Sequence, residues 1–110
     1  MSYKALGNFE LMVLLAVIRL GDDAYGVPIS RAIEESTRRE VLVGSVYAAL
    51  ERLEEKGFVV SEVGESTPER GGRAKRYFRI TKDGLRQVRE TQGALIKLWS
   101  DIPALQGGSR

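Results

Sequence analysis

Gly44-Ser45-Val46-Tyr47-Ala48-Ala49-Leu50-Glu51-Arg52-Leu53-Glu54-Glu55-Lys56-Gly57-Phe58-Val59 is the stretch from which the rest of the chain can be read. Val46, Ala49, Leu50 and Leu53 recur at helical spacing, so they form one buried stripe of a helix that opens at Gly44-Ser45. Tyr47, Ala48, Glu51, Arg52, Glu54 and Glu55 fall on or beside the opposite face. Gly57 ends the helix, and Phe58 to Val63 has the composition of a strand. Two small residues at the start leave backbone amides uncovered, and unpaired amides at a helix N-terminus are natural phosphate ligands. Tyr47 adds a phenol half a turn in, whose plainer use is to cover the edge of the core. Ala48 keeps the surface low, and Arg52 is in reach of guanine or phosphate. Glu54 and Glu55 are expected to face away, since phosphates repel carboxylates.

Working upstream, Phe9, Val13, Ala16, Val17 and Leu20 recur at spacings of three and four, predicting a first helix from Leu6 with Glu10 and Arg19 off the stripe. Gly21-Asp22-Asp23 supplies a stop, and Pro28 suits the opening turn of a second helix with Ile29, Ala32 and Ile33 buried. Arg38-Arg39-Glu40-Val41 reads as an extended linker. Downstream, Gly64 to Ala74 is a polar loop, and Lys75 to Ile80 alternates into a second strand. Thr81 is a good N-cap for a fourth helix, in which Leu85, Val88, Gln92, Leu95, Trp99 and Ile102 repeat at 3, 4, 3, 4, 3. That is a coiled-coil-like seam with one polar member, and a dimer contact is its expected use.

Composition narrows the function. A chain of 110 residues, 43% hydrophobic and 29% charged, has the size of one ordinary domain and invites a partner copy to cover apolar surface. With no Cys and no His, it has no disulfide framework, no thiolate or imidazole metal site and no Ser-His or Cys-His nucleophile. No catalytic residue, metal ligand or cofactor is expected. The longest apolar run, Leu11 to Ile18, is eight residues, short of the ~20 that span a bilayer. Neither a membrane span nor a signal peptide is read, and a cytoplasmic location is expected. The net charge of +2 hides an asymmetry: residues 1 to 49 carry 5 basic and 6 acidic side chains, 50 to 68 carry 2 and 5, and 69 to 110 carry 10 and 4. A local positive excess is the footprint of a polyanion partner.

Three helices, a two-stranded hairpin and a further helix make a mainly α chain with a small β-hairpin. The order is that of a winged helix-turn-helix followed by a C-terminal dimerisation helix. In such a fold the third helix enters the major groove and the hairpin tip lies on the backbone or minor groove. The tip carries Arg70, Arg73, Lys75 and Arg76 around the pair Gly71-Gly72. A solvated loop is the plain alternative, and the helical context favours double-stranded DNA. The expected division is 1 to 81 for the DNA-binding unit, 82 to 102 for the dimerisation helix and 103 to 110 for a disordered tail.

Tyr25-Gly26, the stretch from Gly44 to Val59, and Gly71-Gly72-Arg73-Ala74-Lys75-Arg76-Tyr77-Phe78-Arg79-Ile80-Thr81-Lys82-Asp83-Gly84 together resemble the PadR-like family of bacterial transcriptional regulators. The resemblance covers residues 5 to 100, and the chain is similar in length to members with a single C-terminal helix. It implies a homodimer that binds operator DNA, usually as a repressor. By position it assigns DNA contact to Gly44, Ser45, Tyr47, Arg73, Lys75 and Arg76; Tyr25, Ala48, Arg52 and Arg70 complete the candidate set. It also implies a planar aromatic effector at the dimer seam, with Trp99 as the residue to stack on it. Two departures stand out. Leu42-Val43 replaces the family's Ser-Pro helix start, removing a side-chain cap, and the loop from Gly64 to Glu69 is long.

Two other functions compete. A winged-helix adaptor that binds protein without DNA would favour an acidic wing, against the basic Arg70 to Arg79. A small hydrolase built on Asp22 and Asp23 is weaker, since adjacent acids in a turn without a pocket are ordinary turn chemistry.

Overall fold

A computed structural model describes residues 6–66 and 74–106. The elements follow in the expected order: α1 (Asn8–Leu20), a short 310 turn (Gly21–Asp23), α2 (Gly26–Thr37), α3 (Val43–Glu55), β1 (Val59–Ser66), β2 (Ala74–Ile80) and α4 (Lys82–Trp99). This is a mainly helical winged helix-turn-helix in which three helices precede an antiparallel hairpin and a long last helix. No helix among the described residues is long and apolar enough to cross a membrane.

One core joins all the elements. Val46, Ala49, Leu50 and Leu53 of α3 are fully buried, as their spacing predicts, and meet Val13, Leu14 and Val17 of α1 and Ile29 and Ile33 of α2. Phe58, Val59, Phe78 and Val88 close the cluster from the hairpin and α4. Leu14, off the predicted stripe, is buried too, because α1 packs against α2 and α3 together. Phe9, Leu20 and Ala32 sit only partly buried at its margin.

Several boundaries differ from the reading of the sequence, each for a local reason. The first helix begins at Asn8, where the Glu10 carboxylate accepts the Gly7 N–H at 3.0 Å and fixes the start of the helix. The second begins at Gly26, with Pro28 in its first turn. Strand β1 continues past Val63 to Ser66 through a register irregularity, so the loop expected from Gly64 to Ala74 is in part strand. The expected tip residues Arg70 and Arg73 lie outside the described residues.

The seam helix was expected to reach Ile102, but α4 ends at Trp99. Pro103 drives Ile102 into extended backbone (φ −102°, ψ 105°), and Ser100 folds back to donate its hydroxyl to the Ile96 carbonyl at 2.7 Å. Ile102 therefore leaves the helical seam. Pro103–Leu105 form a 310 turn where an unstructured tail was expected; residues 107–110 of that tail lie outside the described residues.

The root of α4 is tightly built. Thr81 caps it by accepting the Gly84 N–H at 3.0 Å, while its hydroxyl donates to the Gly57 carbonyl at 2.7 Å and its N–H to the Phe58 carbonyl at 3.0 Å. Only glycine fits at position 84, because a Cβ there would overlap the Phe58 carbonyl. Gly57, at φ 82°, makes the left-handed turn that lets the chain leave α3 for β1.

Candidate nucleic-acid interface and an apolar groove

The face of α3 opposite the core is open: Gly44, Ser45, Ala48, Glu51, Arg52 and Glu55 are all exposed. Small residues occupy its first half and charged ones its second. Leu42 is the N-cap residue and gives no side-chain hydrogen bond, as the missing Ser-Pro start predicts. The segment before it is held from α2 instead. Buried Ser30 donates to the Val41 carbonyl at 2.8 Å, and the Val41 N–H donates to Glu34 Oε2 at 2.8 Å. Neither Ser30 nor Glu34 stood out in the sequence, although a serine between apolar positions of α2 was the available sign.

The wing is fixed to the helices by its inner strand. The Phe78 N–H donates to the Ala24 carbonyl in the turn before α2 at 2.8 Å, extending β2 by one strand-like bond. Around this joint, aromatic rings gather. Tyr47 is half-buried against Gly26, with its ring centre 6.5 Å from that of Phe78, so it covers the core edge while remaining beside the open face. Tyr25 meets Tyr77 edge to face at 5.3 Å, and Lys75 Nζ lies 4.5 Å above the Tyr25 ring. Tyr25, Tyr47 and Lys75 thus share one region between the starts of α2 and α3 and the wing.

Two expected DNA-contacting arginines have carboxylate partners within the chain. Arg76 donates through Nη2 to Glu54 Oε1 at 3.0 Å and through Nε to Ser61 Oγ at 3.1 Å; Ser61 in turn donates to Glu54 Oε2 at 2.8 Å. Glu54, expected to face away, holds the wing to α3. Arg52 donates through Nε to Glu10 Oε2 at 2.9 Å. The Arg52 guanidinium thus pairs with a buried carboxylate of α1 while its side chain stays about half exposed on the open face of α3.

Glu10 itself was placed off the buried stripe, yet it is only 5% exposed. Lys56 Nζ bonds its other oxygen at 2.7 Å. Burial on its own would raise the carboxyl pKa, but the hydrogen bonds from Lys56, the Gly7 N–H and Arg52, with the charge of Lys56, outweigh it and hold the group down at about 2. Glu10 is therefore ionised and locks α3 to α1.

On the far side of α1, an apolar groove of about 580 Å³ runs between Leu11 and Leu15 of α1 and Val88, Gln92, Leu95, Ile96 and Trp99 of α4. The predicted seam divides along its length. Val88 is 8% exposed and Leu85 half-buried within the single chain, whereas Gln92, Leu95 and Trp99 remain exposed, Trp99 at 64%. Leu15, Ile96 and Leu98 enlarge the exposed apolar area beyond the residues the heptad pattern picked out.

The model of the transcriptional regulator PadR-like family matches residues 14–90. The chain belongs to the PadR-like family of transcriptional regulators. Membership makes it a regulator rather than an enzyme, in keeping with a site made of a helix face, a wing and a groove. Among solved structures, this PadR-like chain is similar to a transcriptional regulator from Clostridium thermocellum (27% identity, TM-score 0.68, covering 81% of this chain and 83% of that one). It is also similar to a PadR family transcriptional regulator from Eggerthella lenta (26% identity, TM-score 0.65, 80% and 74% covered). A PadR-like regulator from Bacillus cereus shares the fold over 91% of this chain and 92% of its own, with a TM-score of 0.70 at 22% identity. No curated protein matches the sequence.

Proposed function

We propose that this PadR-like chain is a sequence-specific DNA-binding repressor that acts as a cytoplasmic homodimer. The observation that carries the reading is the exposed small-residue face of α3, Gly44, Ser45 and Ala48, standing beside a wing anchored at Phe78 and Ala24. The start of α3 supplies amides to phosphate, with Tyr47 and Tyr25 beside it, and Arg70, Arg73, Lys75 and Arg76 supply positive charge to the flanking backbone. Arg52 and Arg76 share their charge with Glu10 and Glu54, which weakens their pull on phosphate relative to that of an unpaired cation.

Dimerisation is supported by the exposed apolar residues Leu95, Ile96, Leu98 and Trp99 on the last turns of α4. Two copies paired there set the spacing between two α3 helices, and operator half-sites must match it. The groove volume of about 580 Å³ falls within the range of small-molecule sites, and its apolar lining with one amide, Gln92, suits a planar hydrophobic effector against Trp99. Repression needs no bond chemistry, since occupancy of the operator is sufficient.

The test is a salt-titrated binding experiment with duplexes selected by the purified protein from random sequence, set against an unselected duplex. Selective binding whose affinity falls steeply with salt supports the reading. Equal, weak affinity for both duplexes overturns it in favour of a protein-binding adaptor.

A further inference from the structure

Leu42 is a large aliphatic side chain, 66% exposed, at the cap position of α3, whose first half faces outward with only small residues. Leucine is among the poorest N-cap residues, because it leaves the first helical amides without a side-chain acceptor. Nor does it bury its surface in the chain. Its backbone, by contrast, is tightly held: its carbonyl accepts Ser45 N–H at 3.0 Å and Val46 N–H at 3.2 Å, and the preceding Val41 is bonded on both its N–H and its carbonyl by Glu34 and Ser30. The fold thus presents an apolar group from a fixed point at the leading end of α3, flanked by the exposed Gly44 and Ser45.

We infer that Leu42 is a specificity-determining residue that packs on the C5-methyl group of a thymine in the major groove. This rests on the reading of α3 as the DNA-entering helix. The chemistry is restrictive: the thymine methyl is the apolar group that base edges offer in that groove, and every other recognition feature there is a hydrogen-bond donor or acceptor. Leu42 has no hydrogen-bonding side-chain atom and can distinguish thymine from cytosine or a purine only by that methyl. The neighbouring absence of bulk at Gly44 and Ser45 allows the close approach that such a contact requires. A serine in the same place would cap the helix and could bond a phosphate, but it would lose the apolar contact.

Deoxyuridine isolates the contact, because it pairs as thymine does and lacks only the methyl. The full chain is titrated with its strongest selected duplex and with versions in which each thymine is replaced singly by deoxyuridine. At one thymine position the replacement should weaken wild-type binding by about fourfold, the worth of one buried methyl. Leu42→Ser, which supplies a cap and so keeps the helix start sound, should bind thymine and deoxyuridine duplexes alike, as should Leu42→Ala. Thermal melting verifies that both variants are folded. If wild type is indifferent to deoxyuridine at every position while still selecting a duplex, the inference fails and the DNA-binding reading stands. Retained sensitivity in Leu42→Ser also overturns it, by assigning the methyl contact to another residue. If no duplex is selected at all, both readings fall.

Discussion

The ring of Tyr47 lies directly on Gly26: a Cβ built at position 26 would stand 2.6 Å from its Cε2, Cζ and hydroxyl oxygen. Helix α2 therefore starts with a glycine because α3 lays an aromatic ring across its first turn. Gly26→Ala should lower stability by about 1–3 kcal/mol through overpacking, as read by thermal melting. In a Tyr47→Ala background the same change should cost clearly less, since the obstructing ring is gone. Additive losses would mean that the ring is not what excludes the methyl. Tyr47→Phe keeps the packing and should weaken operator binding by about 1 kcal/mol if the hydroxyl touches DNA.

Acid should unfasten α3 from α1. The Glu10 carboxyl titrates at about 2 in the folded chain against an ordinary 4.5, so folding favours its ionised form. Its contribution is fully present above pH ~4.5 and is lost as pH falls through the window to ~2; the whole shift is worth about 3 kcal/mol. Urea unfolding at a series of pH values should show this fall in the wild type. Glu10→Gln should be less stable at neutral pH and should lack that part of the acid slope. Parallel curves for the two proteins would show that Glu10 is not the titrating group.

Arg76 is shared between Glu54 and Ser61, and that sharing limits its availability to phosphate. Glu54→Gln removes the competing charge. If Arg76 then reaches DNA, the slope of log affinity against log salt should steepen by roughly 0.9, the release expected for one added phosphate contact. Changing Arg73 and Lys75 to Ala should flatten the slope by about 1 to 2 units. A slope unmoved by either change would separate the wing from the duplex.

Leu95→Asp places a carboxylate among the exposed apolar residues at the end of α4 and should give a monomer by light scattering at micromolar concentration. The core, in which Leu95 takes no part, should still melt cooperatively. A dimer that survives the change would assign self-association to another surface.

The helical stripes were legible because burial repeats with the period of the helix: Val46, Ala49, Leu50 and Leu53 announce themselves, as does the Thr81 cap. Glu10 did not. Its partners Arg52 and Lys56 are 42 and 46 residues away, and a local pattern holds no record of a pair closed by tertiary packing. The same holds for Arg76 with Glu54: the wing's basic composition was plain, but the acid that engages it lies on another element. The end of α4 was readable in principle, since Pro103 restricts Ile102, yet the heptad spacing carried the reading past it. The sequence offered the candidate site as a set of residue types, while the contacts among those that the structure describes required the fold.

The joint at Thr81 makes α4 an arm with a stiff elbow. Thr81 is bonded to the last turn after α3 at Gly57 and Phe58 as well as to its own helix at Gly84, where no side chain can intervene. From that elbow the 18 residues of α4 reach about 27 Å to Trp99. A tilt of α4 at its far end therefore pivots on a joint held by three hydrogen bonds beside the end of α3. Over that length, a sideways travel of a few ångströms at Trp99 corresponds to a rotation of only a few degrees about Thr81.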